Sequence, residues 1–282
     1  MKNTAKTFIG KIGFIKYLFR RPTNDKTFFC EYRKSQINKL LPFYLDRFLE
    51  FLKLYPLSLK QFKDLVYEYD FPNTDYYKWV FTEKFKDTSE AGLFKSYKIQ
   101  DVVYTLRLML GYTRLDFILP YYRYIFQEFG NNKLKILDYG GGVSDIGLYF
   151  ALLGHDVTLV ELNTVKPFFA KKRFIERGRN LKLILVDSTE IIPDLDNNYD
   201  IIIATEILEH FRKPLKLINT FFGHLNDNGL LLNSLGCEFE RERGGDHLDE
   251  AFEEGNSLEY KNNYNSKFKL IYGNLFKKII NH

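Results

Sequence analysis

The 282-residue chain changes its hydrophobic rhythm at Gly130. From residue 34 up to that point, apolar side chains recur at the spacing of one helical face, with little β character. Gln36–Leu54, Ser58–Tyr69, Ile99–Leu110 and Leu115–Phe129 follow this rule. Ser58 offers an N-cap oxygen and Gly130 a C-terminal stop. Pro42 and Pro120 fall inside the first and last of these helices, so each is kinked or starts later.

After Gly130 the pattern becomes short apolar strands alternating with helices. The strands are Lys135–Tyr139, Val157–Glu161, Lys182–Val186, Asp200–Ala204 and Leu230–Ser234. Helices are predicted over Ile146–Leu153, Pro167–Arg177 and Pro214–Leu225, with Pro167 and Pro214 in first turns and Gly178 past a C-terminus. Such alternation implies a parallel sheet with helices on both faces. Two final strands, Phe268–Tyr272 and Leu275–Ile279, flank Gly273-Asn274, a hairpin turn signal. The fold class is therefore α/β: a seven-stranded sheet, parallel with a C-terminal antiparallel hairpin, preceded by a helical extension. The expected parts are a basic amphipathic segment (1–33), a helical cap (34–130) and a ligand-binding domain (131–282).

Charge sharpens this division. The net +5 separates into +8 over residues 1–130 and −3 over residues 131–282. Residues 1–21 carry Lys2, Lys6, Lys11, Lys16, Arg20 and Arg21 among apolar residues and hold no acid. A helix there would be cationic and amphipathic, suited to peripheral contact with an anionic membrane face. Packing on the domain is the alternative, which Gly10 and Gly13 favour by weakening an autonomous helix. No RNA-binding signature accompanies the charge, so nucleic acid is the weaker partner. Cys30 and Cys237 lack metal-ligand spacing, no apolar run is long enough to span a bilayer, and no signal-peptide pattern opens the chain. A cytoplasmic protein is the expectation, with peripheral contact on the inner membrane face through residues 1–21 as the second option for that segment. The many Phe and Tyr name no ligand.

The chemistry lies after the first strand, in KILDYGGGVSDIG. Gly140 and Gly142 allow a sharp turn and close approach to a ligand, and the helix that follows offers free N–H groups. The dinucleotide fingerprint G-x-G-x-x-G would put a third glycine at 145, where Asp145 stands, and an acid there would repel a pyrophosphate. The Lys-Ser/Thr of a P-loop is also missing. The loop is read as built for a ligand without phosphates. Four acids then fall at the carboxyl edges of consecutive strands, Asp138, Glu161, Asp187 and Glu206, where open α/β sheets bind ligands. Glu161 is placed for ribose hydroxyls and Asp187 for an adenine amino group.

With these residues in place, the stretch 134–235 resembles a class I S-adenosylmethionine-dependent methyltransferase, a Rossmann-like fold. Asp138, Gly140 and Gly142 match that family's first motif, Glu161 its ribose-binding acid and Asp187 its adenine-side acid. YDIIIATEILEHF resembles the fourth-strand motif and LNDNGLLLNS the loop and fifth strand. The resemblance implies S-adenosylmethionine as cofactor, held by Asp138, Gly140, Gly142, Glu161, Asp187 and Glu206.

Beyond the fourth strand, Glu206-x-x-Glu209-His210 would project from one side of a helical turn, and His247 lies downstream of the fifth strand. His210 or His247 could act as general base for an acceptor hydroxyl. Glu-x-x-Glu-His resembles ubiquinone-biosynthesis O-methyltransferases. It also resembles the methyltransferases of the 3′-terminal ribose of small RNAs, where two Glu and two His bind a divalent ion. That resemblance implies a candidate metal site of Glu206, Glu209, His210 and His247, for an ion such as Mg. The expected function is O-methylation of a small-molecule, lipid-linked or saccharide acceptor. Metal-assisted ribose 2′-O-methylation of RNA and a non-catalytic cofactor-binding scaffold are the alternatives.

Overall fold

The structure is a computed structural model, and it describes residues 119–195, 198–234 and 247–280 together with Glu50, Lys53 and Thr105. The stretch 1–33 expected as an amphipathic segment, and most of the stretch 34–130 expected as a helical cap, lie outside the described residues.

The helix expected over Leu115–Phe129 is α1 (Tyr122–Phe129), which starts after Pro120 and stops at Gly130, whose φ of 60° is a left-handed conformation that glycine adopts freely. Alternation then runs β1 (Lys135–Tyr139), α2 (Asp145–Leu152), β2 (Asp156–Leu162), α3 (Val165–Glu176), β3 (Lys182–Val186) and β4 (Tyr199–Ala204). A 3-10 turn (Leu208–His210) leads to α4 (Pro214–His224) and β5 (Leu225–Asn233). Helices α5 (Asp249–Asn256) and α6 (Leu258–Lys267) precede the hairpin of β6 (Phe268–Tyr272) and β7 (Leu275–Lys278).

These strands form one sheet in the order β3-β2-β1-β4-β5-β7-β6, parallel through β5 and antiparallel at β7 and β6. Alternate residues of each central strand feed two cores. Leu137, Tyr139, Ile202 and Leu231 pack on one face with Phe221 and Phe252. Ile136, Ile201, Ile203 and Leu230 pack on the other with Phe150 and Phe174. Burial on both faces is why these strands read as continuous apolar runs.

β5 opens at Leu225, earlier than its apolar run predicts. Leu225 pairs with Tyr199, the register then shifts, and Leu230 pairs with Ile201. The polar stretch 226–229, with Asn228 at φ 65°, is the irregularity between them. Helices α5 and α6 carry few apolar residues in their mixed sequences, DEAFEEGN and LEYKNNYNSK, so apolar periodicity does not reveal them. Among the described residues no helix is long and apolar enough to cross a membrane.

Chain order reverses direction across the sheet between β1 and β4. A crevice at such a switch point, beyond the carboxyl ends of the strands, is where this architecture holds ligands.

Candidate functional site

The glycine loop leaves β1 at this switch point. Gly140 and Gly142 have φ of 66° and 60°, and Gly140 N–H donates to Val160 O at 2.8 Å, holding the loop against β2. A side chain at Gly140 would collide with Ile207, which packs over it from beyond β4. The loop is thus pinned between β2 and the segment after β4.

Glu161 is the acid that faces the loop directly. It is buried, its Oε2 accepts from Gly142 N–H at 2.7 Å, and its Oε1 accepts from Leu162 N–H at 2.9 Å. Lys166 Nζ lies 3.6 Å from Oε1. Each carboxylate oxygen keeps a second lone pair, so both can still accept from a ligand hydroxyl. Asp187, exposed just beyond β3, accepts from Asn163 Nδ2 at 3.1 Å, which links the ends of β2 and β3.

Asp138 lies beneath the loop. Its buried carboxylate accepts from Ser144 Oγ at 2.7 Å and from Gly147 N–H. Burial, reinforced by Glu161 and Asp145, outweighs these two donors and raises its pKa to about 6. Gly147 takes the role expected of a third fingerprint glycine, two positions later than the pattern places it. A Cβ at Gly147 would fall on Ser144 Oγ and within 2.9 Å of Asp138 Oδ2.

Asp145 does not act as the sequence suggests. Its carboxylate is buried and bonded to Arg173 Nη1 at 2.7 Å, so its charge is neutralised inside the fold and repels nothing at the loop surface. Sequence spacing could not reveal the partner, which is 28 residues away on α3.

Beyond β4, Glu206 has a left-handed backbone, φ 57°, and its N–H donates to Ser234 Oγ at 2.9 Å. The helical turn begins only at Leu208, so Glu206 does not share a helical face with Glu209 and His210. Side-chain donors of Glu209, His210 and His247 lie within 4.8 Å of one another, and Glu206 is outside that group. The expected four-residue ligand set therefore comes together as three. Glu209 is buried, with Oε1 3.9 Å from His247 Nε2, and the rings of His210 and His247 meet edge-on at 5.3 Å. His247 is held there because Leu248 N–H donates to Glu209 O at 2.9 Å. The arrangement puts two imidazoles and a carboxylate together beyond β4, fit to accept a proton or to bind an ion.

Comparison with known proteins gives a family and partial relatives. A family described as "Methyltransferase domain" matches residues 112–269. The tRNA 5-carboxymethoxyuridine methyltransferase of Escherichia coli is 28% identical over 109 residues, 38% of this chain and 42% of that protein. The ubiquinone biosynthesis O-methyltransferase of Rickettsia prowazekii is 26% identical over 127 residues, 44% of this chain and 48% of that one. The chain thus spans less than half the length of either relative. Among solved structures, TehB from Haemophilus influenzae is 24% identical with a TM-score of 0.34, covering 39% of this chain and 38% of its own.

Proposed function

The chain belongs to the methyltransferase domain family, and from that premise we propose that it moves the methyl group of S-adenosylmethionine to an oxygen of a small-molecule, lipid-linked or saccharide acceptor. The observation that carries the cofactor half is Glu161. Its carboxylate is fixed 2.7 Å from Gly142 N–H at the sheet's switch point, where it can take ribose hydroxyls. Asp187, on the next strand end, is the acid for the adenine side.

The cofactor supplies an electrophilic methyl on a sulfonium sulfur. Bond-making is an in-line displacement: the acceptor oxygen bonds the methyl carbon, the carbon–sulfur bond breaks, and S-adenosylhomocysteine leaves. The chain's part is alignment, exclusion of water and removal of the acceptor proton. His210 or His247 takes that proton, with Glu209 orienting the pair. Support for oxygen comes from this base cluster and from the O-methyltransferase among the relatives.

A second reading has Glu209, His210 and His247 hold a divalent ion beside the acceptor hydroxyl. Two imidazoles and one carboxylate suit a zinc-like transition ion better than magnesium, which prefers oxygen donors. Ribose methylation of RNA is less favoured, because Glu206 stands apart from the other three.

Calorimetry with S-adenosylhomocysteine tests the reading. The intact chain should bind it, and Glu161→Ala should weaken binding by about tenfold or more; no binding by the intact chain overturns the proposal. Transfer of labelled methyl to hydroxylated aromatics, saccharides or tRNA, with and without chelator, identifies the acceptor class. Activity that survives chelation leaves the imidazoles as bases.

A further inference from the structure

Arg173 lies in the last turn of α3 with its side chain wholly buried. Its Nη1 donates to the carbonyl of Val143, between Gly142 and Ser144 in the glycine loop, at 2.8 Å. The same nitrogen reaches Asp145 Oδ1, at the first residue of α2, at 2.7 Å. On its other side, Nε donates to Glu50 Oε1 at 3.0 Å, and Arg177, the residue that caps the C-terminus of α3, donates to that oxygen at 2.6 Å. Lys53, three residues after Glu50 and also helical, pairs with Glu176 at 2.9 Å. Glu50 and Lys53 therefore both meet the C-terminal end of α3.

The family match begins at residue 112, so Glu50 comes from outside it. A guanidinium is a rigid planar fork, and a carboxylate on one edge fixes where its other nitrogens point. A buried cation that loses one of two counter-charges must tilt or draw in water. Here the tilt would withdraw the guanidinium from the Val143 carbonyl, next to the Gly142 N–H that Glu161 holds.

We infer that Glu50, supplied by the N-terminal region, is a positioning residue for the cofactor loop: it fixes Arg173, and Arg173 fixes the loop at Val143 and Asp145. This rests on the reading of that loop as the S-adenosylmethionine site. Truncation to the family domain would remove a part of the site and not merely a neighbouring helix.

The experiment uses the full-length chain and S-adenosylhomocysteine as probe, with circular dichroism confirming a folded state at the titration temperature. Glu50→Gln should weaken binding by about tenfold. It should also raise KM for the methyl donor while kcat at saturation stays unchanged. Lys53→Ala, which breaks only the surface pair, should leave binding as it is. The combined variant Glu50→Gln, Asp145→Asn, Arg173→Met removes the three buried charges together and so avoids an uncompensated one. It decides the matter even where Glu50→Gln unfolds: folded with weakened binding supports the positioning role, folded with native binding overturns it. A folded Glu50→Gln with native affinity overturns it as well. An intact chain that fails to bind defeats the cofactor reading itself, a result separate from any variant's.

Discussion

Ser144 Oγ donates a 2.7 Å hydrogen bond to the buried carboxylate of Asp138, and it does so from a left-handed backbone, φ 52°, at the start of α2. Two unfavourable conditions, a desolvated charge and a strained non-glycine residue, are thus joined beneath the glycine loop. Strain of this kind persists only where its surroundings fix it. Here it sets where the N–H groups of Gly142 and the start of α2 point.

The first prediction concerns pH. Asp138 has a folded pKa of about 6 against an ordinary value of 3.8, so the folded state binds its proton more tightly than the unfolded one. The ionised group opposes folding above pH 6, and stability from this residue is regained as pH falls from 6 towards 4. The shift corresponds to about 3 kcal/mol. Glu50 works the other way. Burial tends to raise its pKa, but Arg173 and Arg177 together outweigh that and lower it, so its stabilising effect is lost on acidification. Asp138→Asn should therefore be more stable than the native chain at pH 8, with the advantage vanishing near pH 4, in urea melts across that range. An advantage independent of pH would show that Asp138 is not the titrating group.

Gly147 and Gly223 give opposite outcomes for one substitution. Gly147→Ala drives a methyl onto Ser144 Oγ and Asp138, which should cost about 1–3 kcal/mol and weaken S-adenosylhomocysteine binding. Gly223 lies in the last turn of α4, where an added methyl would meet nothing within 4 Å, and its φ is not positive. Gly223→Ala should raise stability by about 0.5 kcal/mol and leave binding untouched. Thermal melts and calorimetry on both variants check the pair.

How far the sequence reveals this site follows from what each residue depends on. β1 and β3 are predicted to the residue, because each is a short apolar run between polar turns, β1 buried from Ile136 onward and β3 still apolar although partly exposed at the sheet's edge. Glu161 is legible because a strand end fixes its position locally. Asp145 is not, because its partner, Arg173, is set by packing of α3 on α2. Grouping Glu206 with Glu209 and His210 assumes a helical turn, whereas the turn starts two residues later. Gly147 carries a usable signal: a glycine one turn into the helix, with no polar function of its own.

Asn233 is wholly buried at the end of β5, paired in register with Ala204, and among the described residues neither atom of its side-chain amide has a hydrogen-bond partner. An orphaned buried polar atom costs about 1–3 kcal/mol, and an apolar group of similar volume removes that cost. Asn233→Leu should therefore raise the urea midpoint. A lowered midpoint would mean that an ordered water satisfies the amide in solution.

The last prediction separates strain from function at Glu206. Its φ of 57° costs about 1–2 kcal/mol for a residue with a Cβ, and glycine would relieve it. Glu206→Gly should gain about 1 kcal/mol in stability, because the backbone N–H can still donate to Ser234. Glu206→Ala keeps the strain and loses the carboxylate, so it should show no such gain. If the carboxylate serves the methyl-donor crevice, both variants lose transfer activity to a similar degree despite their different stabilities. Chemical denaturation together with a labelled-methyl assay on the two variants provides the comparison. Full activity in Glu206→Gly would instead show that the left-handed residue is a bend after β4 and takes no part in the site.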